Sequence, residues 1–218
     1  MNCNDVNVAG IMELSDGQLQ TVTDISISQG AVLQGDNGQI YFSGGWSNLG
    51  SFQAGQSSVN LNDDCNTGNS QIVGDTDFYQ FSALTQSASR EVTVEAGSQQ
   101  SFLNDFQLIG SGPGRIDLHS SVDNSAAFFV LGNNATQRVA NVDVRDNDAS
   151  RGAHIAPVEP STIGSTRGSN VINWFIEHIL PTVPVPTLSA WSLLVLVLGI
   201  LAVGISSSRR RKTEKGAV

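Results

Sequence analysis

With 218 residues and a formal net charge of -9, the chain has room for one medium domain plus appendages and can bury a core without metal staples. It is 39% hydrophobic but only 14% charged, with 22 glycines and much Ser, Asn, Gln and Thr, a composition that points away from soluble helices and toward β structure and turns. Five of its 11 Lys and Arg lie in the last ten residues and the others are all Arg, so the body is acidic and lacks the clustered basic face that nucleic-acid binding requires.

In chain order, Met1 to Gly17 has no basic n-region, no long apolar run and no cleavage site of the signal-peptide kind. From there to Val144, short β-branched and aromatic runs recur: TVTDISIS (21–28), QIYFSG (39–44), SSVNLN (57–62), REVTVEAG (90–97), GRIDLHSS (114–121) and VANVDVRD (139–146). Pairs such as Val92/Val94 and Val142/Val144 alternate with polar residues at the period of a half-buried strand. Between the runs stand turn clusters, Gly35 to Gly38, Gly110 to Gly114 and Gly132 to Asn134, where Gly and Asn supply positive φ. No ten-residue window carries a helical apolar stripe. The fold class expected is all-β: a right-handed parallel β-solenoid, with a β-sandwich as the alternative. The wealth of small polar residues, the few aromatics in the strand runs and a loose recurrence near twenty residues favour the solenoid.

Chemistry is sparse. Cys3 and Cys65 lack metal spacing; in an exported protein they can pair, and two free thiols are the alternative. His119, His154 and His178 are far apart, and no GxSxG elbow, phosphate loop or Rossmann glycine pattern occurs. The carboxylate groups Asp63/Asp64, Asp75/Asp77 and Asp143/Asp146/Asp148 could serve a glycosidase or lyase, but Asp at coil corners more readily binds its own backbone. Asp143, Asp146 and Asp148 are also the candidate calcium ligands, although their spacing departs from the EF-hand loop and a solvated turn is favoured. No catalytic residue, cofactor or metal is assigned, and Trp46 and Trp174 are the body's two tryptophans for any sugar platform.

The C-terminal region reads differently. Pro181, Pro184 and Pro186 make a stiff spacer. Leu188 to Ile205 contains no charged residue and has the length of a membrane-crossing helix. The basic cluster Arg209, Arg210, Arg211 and Lys212 follows, which by the positive-inside rule leaves the body outside the cytoplasm. The domain plan is an ectodomain at 1–175, a capping and Pro-rich linker at 176–187, a transmembrane sorting helix at 188–208 and a basic cytoplasmic tail at 209–218. Val171 to Leu180, with Trp174, Phe175 and Ile179, is the candidate cap of the solenoid.

The phrase Pro186-Thr187-Leu188-Ser189-Ala190-Trp191, set directly against an apolar span and a basic end, resembles the IPTL-CTERM sorting signal of Gram-negative bacterial surface proteins. Val185 stands where that family has Ile, and Ser192 where Gly or Ala is usual. The resemblance implies an exosortase-like processing enzyme as partner, with Pro186, Thr187, Leu188, Ser189 and Trp191 as the sorting signal. The body segments GGWSNLGSFQAGQSSVNLN (44–62), SQIVGDTDFYQFSAL (70–84) and VDVRDNDASRGAHI (142–155) look like repeats of secreted, adhesin-like bacterial proteins. This implies a non-enzymatic cell-envelope protein, held in the membrane by 188–208 or released to the surface or matrix after processing, that contacts an extracellular polysaccharide or a host or cell surface. A surface polysaccharide-active β-helix enzyme is the alternative. Such a protein needs an export signal, so the natural chain is expected to begin upstream of Met1.

Overall fold

Alternation of apolar and polar residues over three to five positions gives each strand one buried edge, and a corner every few residues turns the chain before the strand can lengthen. The computed structural model describes residues 3–65, 68–86, 88–111 and 113–176, with only the backbone at Thr21. These residues wind into a parallel β-solenoid of about seven turns.

The first turn comprises β1 (Asn4–Val8), β2 (Ile11–Glu13) and the start of β3 (Gln18–Ile27). The rest of β3, with β4 (Val32–Gln34) and β5 (Gln39–Phe42), makes the second. The third holds β6 (Trp46–Asn48), β7 (Ser51–Gln53) and β8 (Ser58–Leu61). In the fourth, β9 (Asn69–Val73) leads into β10 (Thr76–Thr85), which bends around a corner and serves two faces. The fifth repeats this with β11 (Arg90–Val94) and β12 (Gln99–Gly110). The sixth contains β13 (Ile116–Ser120), β14 (Ala127–Leu131) and β15 (Thr136–Ala140). Shorter strands close the array: β16 (Val142–Val144), β17 (Asn147–Asp148), β18 (Thr166–Arg167) and β19 (Val171–Ile172).

Every strand pair among the described residues is parallel, which removes the sandwich, an antiparallel architecture. One face stacks the end of β3, β6, β9, β11, β13, β16 and β18. Another stacks the start of β3, β5, β8, the end of β10, the end of β12, and β15. Between them lie β2, β4 and β7 as a separate sheet, followed by the early parts of β10 and β12 and by β14, β17 and β19. The only helix among the described residues is a single 3-10 turn, Pro160–Ile163.

Inward positions form one continuous core. The scarcity of aromatics within the strand runs is compensated by their placement, since eight of the nine phenylalanines are buried. They make a ladder of ring contacts along the axis: Trp46 to Phe78 at 5.4 Å, Phe78 to Phe102 at 5.9 Å, Phe102 to Phe129 at 5.2 Å, and Phe129 to Trp174 at 5.7 Å. Each fully buried ring contributes about 1.5–3 kcal/mol by area alone, so this ladder is the main apolar tie between turns. At its C-terminal end Trp174 and Phe175 are each 1% exposed, and Trp174 Nε1 donates to Asn147 Oδ1 at 2.7 Å. Two of the three proposed cap residues therefore plug the core, while Ile179 lies outside the described residues.

The corners stack as well. Ser15, Asp36 and Gly55 hold positive φ one above another, joined by Asn37 N to Ser15 O and Gln56 N to Asp36 O. A Cβ at Gly55 would meet Asp36 O at 2.6 Å, so the third layer of this corner requires glycine.

Two covalent or buried polar ties fasten the corner where the β5/β8 face turns into the β6/β9 face. Cys3 and Cys65 form a disulfide across 62 residues, with Cα atoms 6.0 Å apart. Arg90, 2% exposed, reaches back over two turns, donating to Ser43 O (2.7 Å), Ser70 Oγ (2.6 Å), Asn62 O (2.7 Å) and Asp63 Oδ1 (2.7 Å).

Among the described residues no helix is long and apolar enough to cross a membrane. The predicted span 188–208, the sorting phrase, the basic cluster and the Pro-rich spacer lie outside those residues, as does His178.

Candidate functional site

Parallel register turns one outward position per strand into a column that repeats every ~4.8 Å. On the β9/β11/β13/β16/β18 face one such column reads Asn69, Glu91, Asp117, Asp143, Thr166. Each of its three successive carboxylates has a basic side chain beside it. His119 Nε2 lies 2.8 Å from Glu91, Arg145 lies 3.6 Å from Asp117, and Arg115 grips Asp143 through Nε at 2.8 Å and a second bond from Nη2. Arg115 also donates to Gly164 O at 2.7 Å, and Thr166 Oγ1 donates to Asp143. The Arg115 hydrogen bonds hold the Asp143 carboxyl below its ordinary 3.8, burial working the other way, with Thr166 and the Arg115 charge adding to the lowering. The same pairing raises the Arg115 pKa.

Overlapping the N-terminal end of this column, a groove of about 480 Å³ runs across Asp24, Gly45, Gln71, Glu91 and Thr93. Asp24 Oδ1 accepts from Gly45 N at 2.5 Å. Thr93 Oγ1 lies 3.5 Å from His119 Nε2, the same nitrogen that faces Glu91, while Nδ1 meets Ser120 O at 2.8 Å. A nucleophile, base and orienting acid need the hydroxyl and carboxylate on opposite ring nitrogens. Here Glu91 and Thr93 share one.

The carboxylates singled out in the sequence go to separate structural tasks. Asp63 binds Arg90 and accepts from Gln86 N, Asp64 accepts from Asn62 Nδ2, and Asp75 accepts from Gln99 N; Asp77 is exposed. Asp143, Asp146 and Asp148 do not converge. Asp143 is held by Arg115; Asp146, buried at a positive-φ corner, accepts from Asn124 N and Asn170 Nδ2; and Asp148 accepts from Ser150 N. Among the described residues no three His, Cys, Asp or Glu are grouped to hold a metal ion. His154 meets Phe175 O at 2.9 Å, and both Trp46 and Trp174 are core residues, which removes them as sugar platforms.

The β5/β8/β10/β12/β15 face is of another kind. Its register builds one column of Gln18, Gln39, Ser58, Gln80, Asp105, Thr136 and a second of Tyr41, Asn60, Ser82, Gln107, Arg138. Side-chain bonds run along and between these columns: Gln18 Nε2 to Gln39 Oε1 at 2.9 Å, Tyr41 OH to Gln39 Oε1 at 2.9 Å, Ser82 Oγ to Asn60 Oδ1 at 2.8 Å, and Gln107 Nε2 to Asp105 at 2.7 Å. No charged side chain enters either column before Asp105. A depression of about 280 Å³ opens over Ser58, Asn60, Gln80, Ser82, Asp105 and Gln107.

This amide face escaped the sequence reading because its members lie about a turn apart in a repeat of uneven length. The signal was nevertheless present as a polar-apolar-polar triplet in each strand: Gln39-Ile40-Tyr41, Ser58-Val59-Asn60, Gln80-Phe81-Ser82 and Asp105-Phe106-Gln107.

No family model matches the chain, and no curated protein or solved structure is found similar to it.

Proposed function

We propose that this is an exported cell-envelope protein whose solenoid is presented outside the cytoplasm as a stalk or adhesive surface, binding rather than reacting. It is sorted at the membrane through residues 188–208, the phrase Pro186 to Trp191 and the basic run Arg209 to Lys212, with an exosortase-like enzyme as the partner that reads this tail. The winding is right-handed, the hand that parallel strand crossovers take. The observation that carries export is the Cys3–Cys65 disulfide, a bond that persists in oxidising compartments and is rare in a reducing cytosol. Binding is favoured over catalysis by the commitment of Asp63, Asp75, Glu91 and Asp143 to basic side chains or backbone donors.

The test is protease shaving of intact bacteria expressing the full reading frame with its upstream sequence, combined with thiol labelling. The body should be digested on intact cells, and Cys3 and Cys65 should label only after reduction. A body protected until lysis, with both thiols labelling unreduced, would end this reading.

A polysaccharide-active enzyme is the second reading, favoured by the groove that brings Asp24 and Glu91 to one face. Release of reducing ends from a glycan, lost in Glu91→Gln, would support it.

A further inference from the structure

We propose that the amide face binds an extended, uncharged polysaccharide laid along the solenoid axis, an assignment that deepens the reading of the body as a presented binding surface. Its first argument is charge. In a chain of net charge -9, both columns are free of acidic and basic side chains from Gln18 through Ser82. A polyanion finds no cation there and meets the Asp105 carboxylate in the depression, and a polycation finds no other carboxylate, whereas a neutral glycan needs no counter-charge and meets Asp105 already bonded by Gln107 and Thr136.

The second argument is hydrogen-bonding chemistry. Side-chain amides present a donor and an acceptor together, and Ser and Tyr hydroxyls serve as either, which is the pattern that matches the paired hydroxyls of a sugar ring. The rungs repeat every ~4.8 Å, on the scale of one ring, so successive sugars meet equivalent groups. Ladder bonding does not exhaust this capacity: Gln80, half-buried and lining the depression, makes no side-chain hydrogen bond among the described residues.

The third argument is rigidity. Directly beneath the columns, Ile40, Phe42, Val59, Leu61, Phe81 and Phe106 are buried, so the outward groups stand on a packed base and lose little freedom on binding. A protein partner fits less well, because stable protein interfaces centre on apolar anchors, and around this depression the exposed apolar residue is Leu84, 38% accessible.

The experiment is affinity electrophoresis of the full chain, in detergent, through gels containing neutral polysaccharides (dextran, galactomannan, xyloglucan) or the polyanions alginate and heparin. At least one neutral polymer should retard the wild type, and the polyanions should not. Gln80→Ala removes no intramolecular bond, so it should weaken retardation without lowering the melting temperature; Asn60→Ala/Gln80→Ala should weaken it about tenfold or more. Thr93→Ala, in the groove of the charged face, should leave it unchanged. The proposal fails if no neutral polymer retards the wild type, if Gln80→Ala and the double variant bind normally, or if Thr93→Ala abolishes binding. Surface exposure in the shaving test alongside failure here would leave the export reading standing, while retardation by a protein whose thiols are reduced in cells would do the reverse.

Discussion

Two faces of the same solenoid solve the same stacking problem in opposite ways. Parallel register forces equivalent side chains to lie ~4.8 Å apart. Like charges at that distance repel by about 1 kcal/mol even in water, and by more where solvent is partly excluded. The β11/β13/β16 face nevertheless stacks Glu91, Asp117 and Asp143 in line and supplies each with a basic neighbour, His119, Arg145 and Arg115. The β5/β8/β10 face stacks Gln39, Ser58 and Gln80 with no charge at all. Because the first face shows that this fold tolerates stacked carboxylates, the uncharged run from Gln18 to Gln80, which ends at Asp105, is not a requirement of stacking, and a ligand that needs no counter-charge there becomes the simpler cause.

The largest way to break this arrangement is at the corner that separates the two faces. Arg90 begins β11 on the charged face and binds the carbonyls of Ser43 and Asn62, which follow β5 and β8 on the amide face. Truncating it leaves two carbonyls, Ser70 Oγ and the partly exposed Asp63 without their donor, and removing a buried charge from such a network costs up to about 3–5 kcal/mol. Arg90→Ala should therefore lower the urea midpoint by that equivalent. A loss under ~1 kcal/mol would show that the corner is held by backbone stacking alone.

Next in size is the disulfide at the same corner, where Cys65 N donates to Ser43 Oγ at 3.1 Å. Replacing both cysteines by Ser should cost about 2–4 kcal/mol, and wild type measured with dithiothreitol should match the double variant. If reduction changes nothing, the first turn is docked by β1 pairing with β3, and the bond is only a marker of compartment.

How much of this was legible beforehand follows from what each feature depends on. Strands with clean alternation were visible: Arg90–Val94, Ile116–Ser120 and Val142–Val144 lie within the runs expected for them. Three-residue strands such as Val32–Gln34 and Ser51–Gln53 were not, because they are too short to show a period and exist through neighbours a turn away. The aromatic ladder was equally hidden, since Trp46, Phe78, Phe102 and Phe129 are isolated in sequence and meet only when the turns stack. The corner residues were readable only in part: Asp36 holds positive φ within an expected turn, but Asn141 and Asp146 hold it inside the run 139–146 expected as strand, and none of the described residues in 110–114 and 132–134 does. Which Asp finds an Arg was not, because Arg115 and Asp143 are brought together by register across a turn of uneven length.

The smallest effect tests the charged face itself. The Arg115 hydrogen bonds lower the Asp143 pKa in the folded state, so the carboxylate contributes stability above its unfolded value, near the ordinary 3.8. That contribution is lost as pH falls through the lower folded value. Both partners are 36% exposed, which screens the pair and limits it to about 1 kcal/mol or less. Urea midpoints of wild type and Asp143→Asn should differ by that amount at pH 6, begin to converge as pH drops below the unfolded value and meet only below the lower folded value. Parallel curves would mean that Arg115 holds Gly164 and the closing turns without help from the charge of Asp143, leaving the charged face a ladder of hydrogen bonds much like its neutral counterpart.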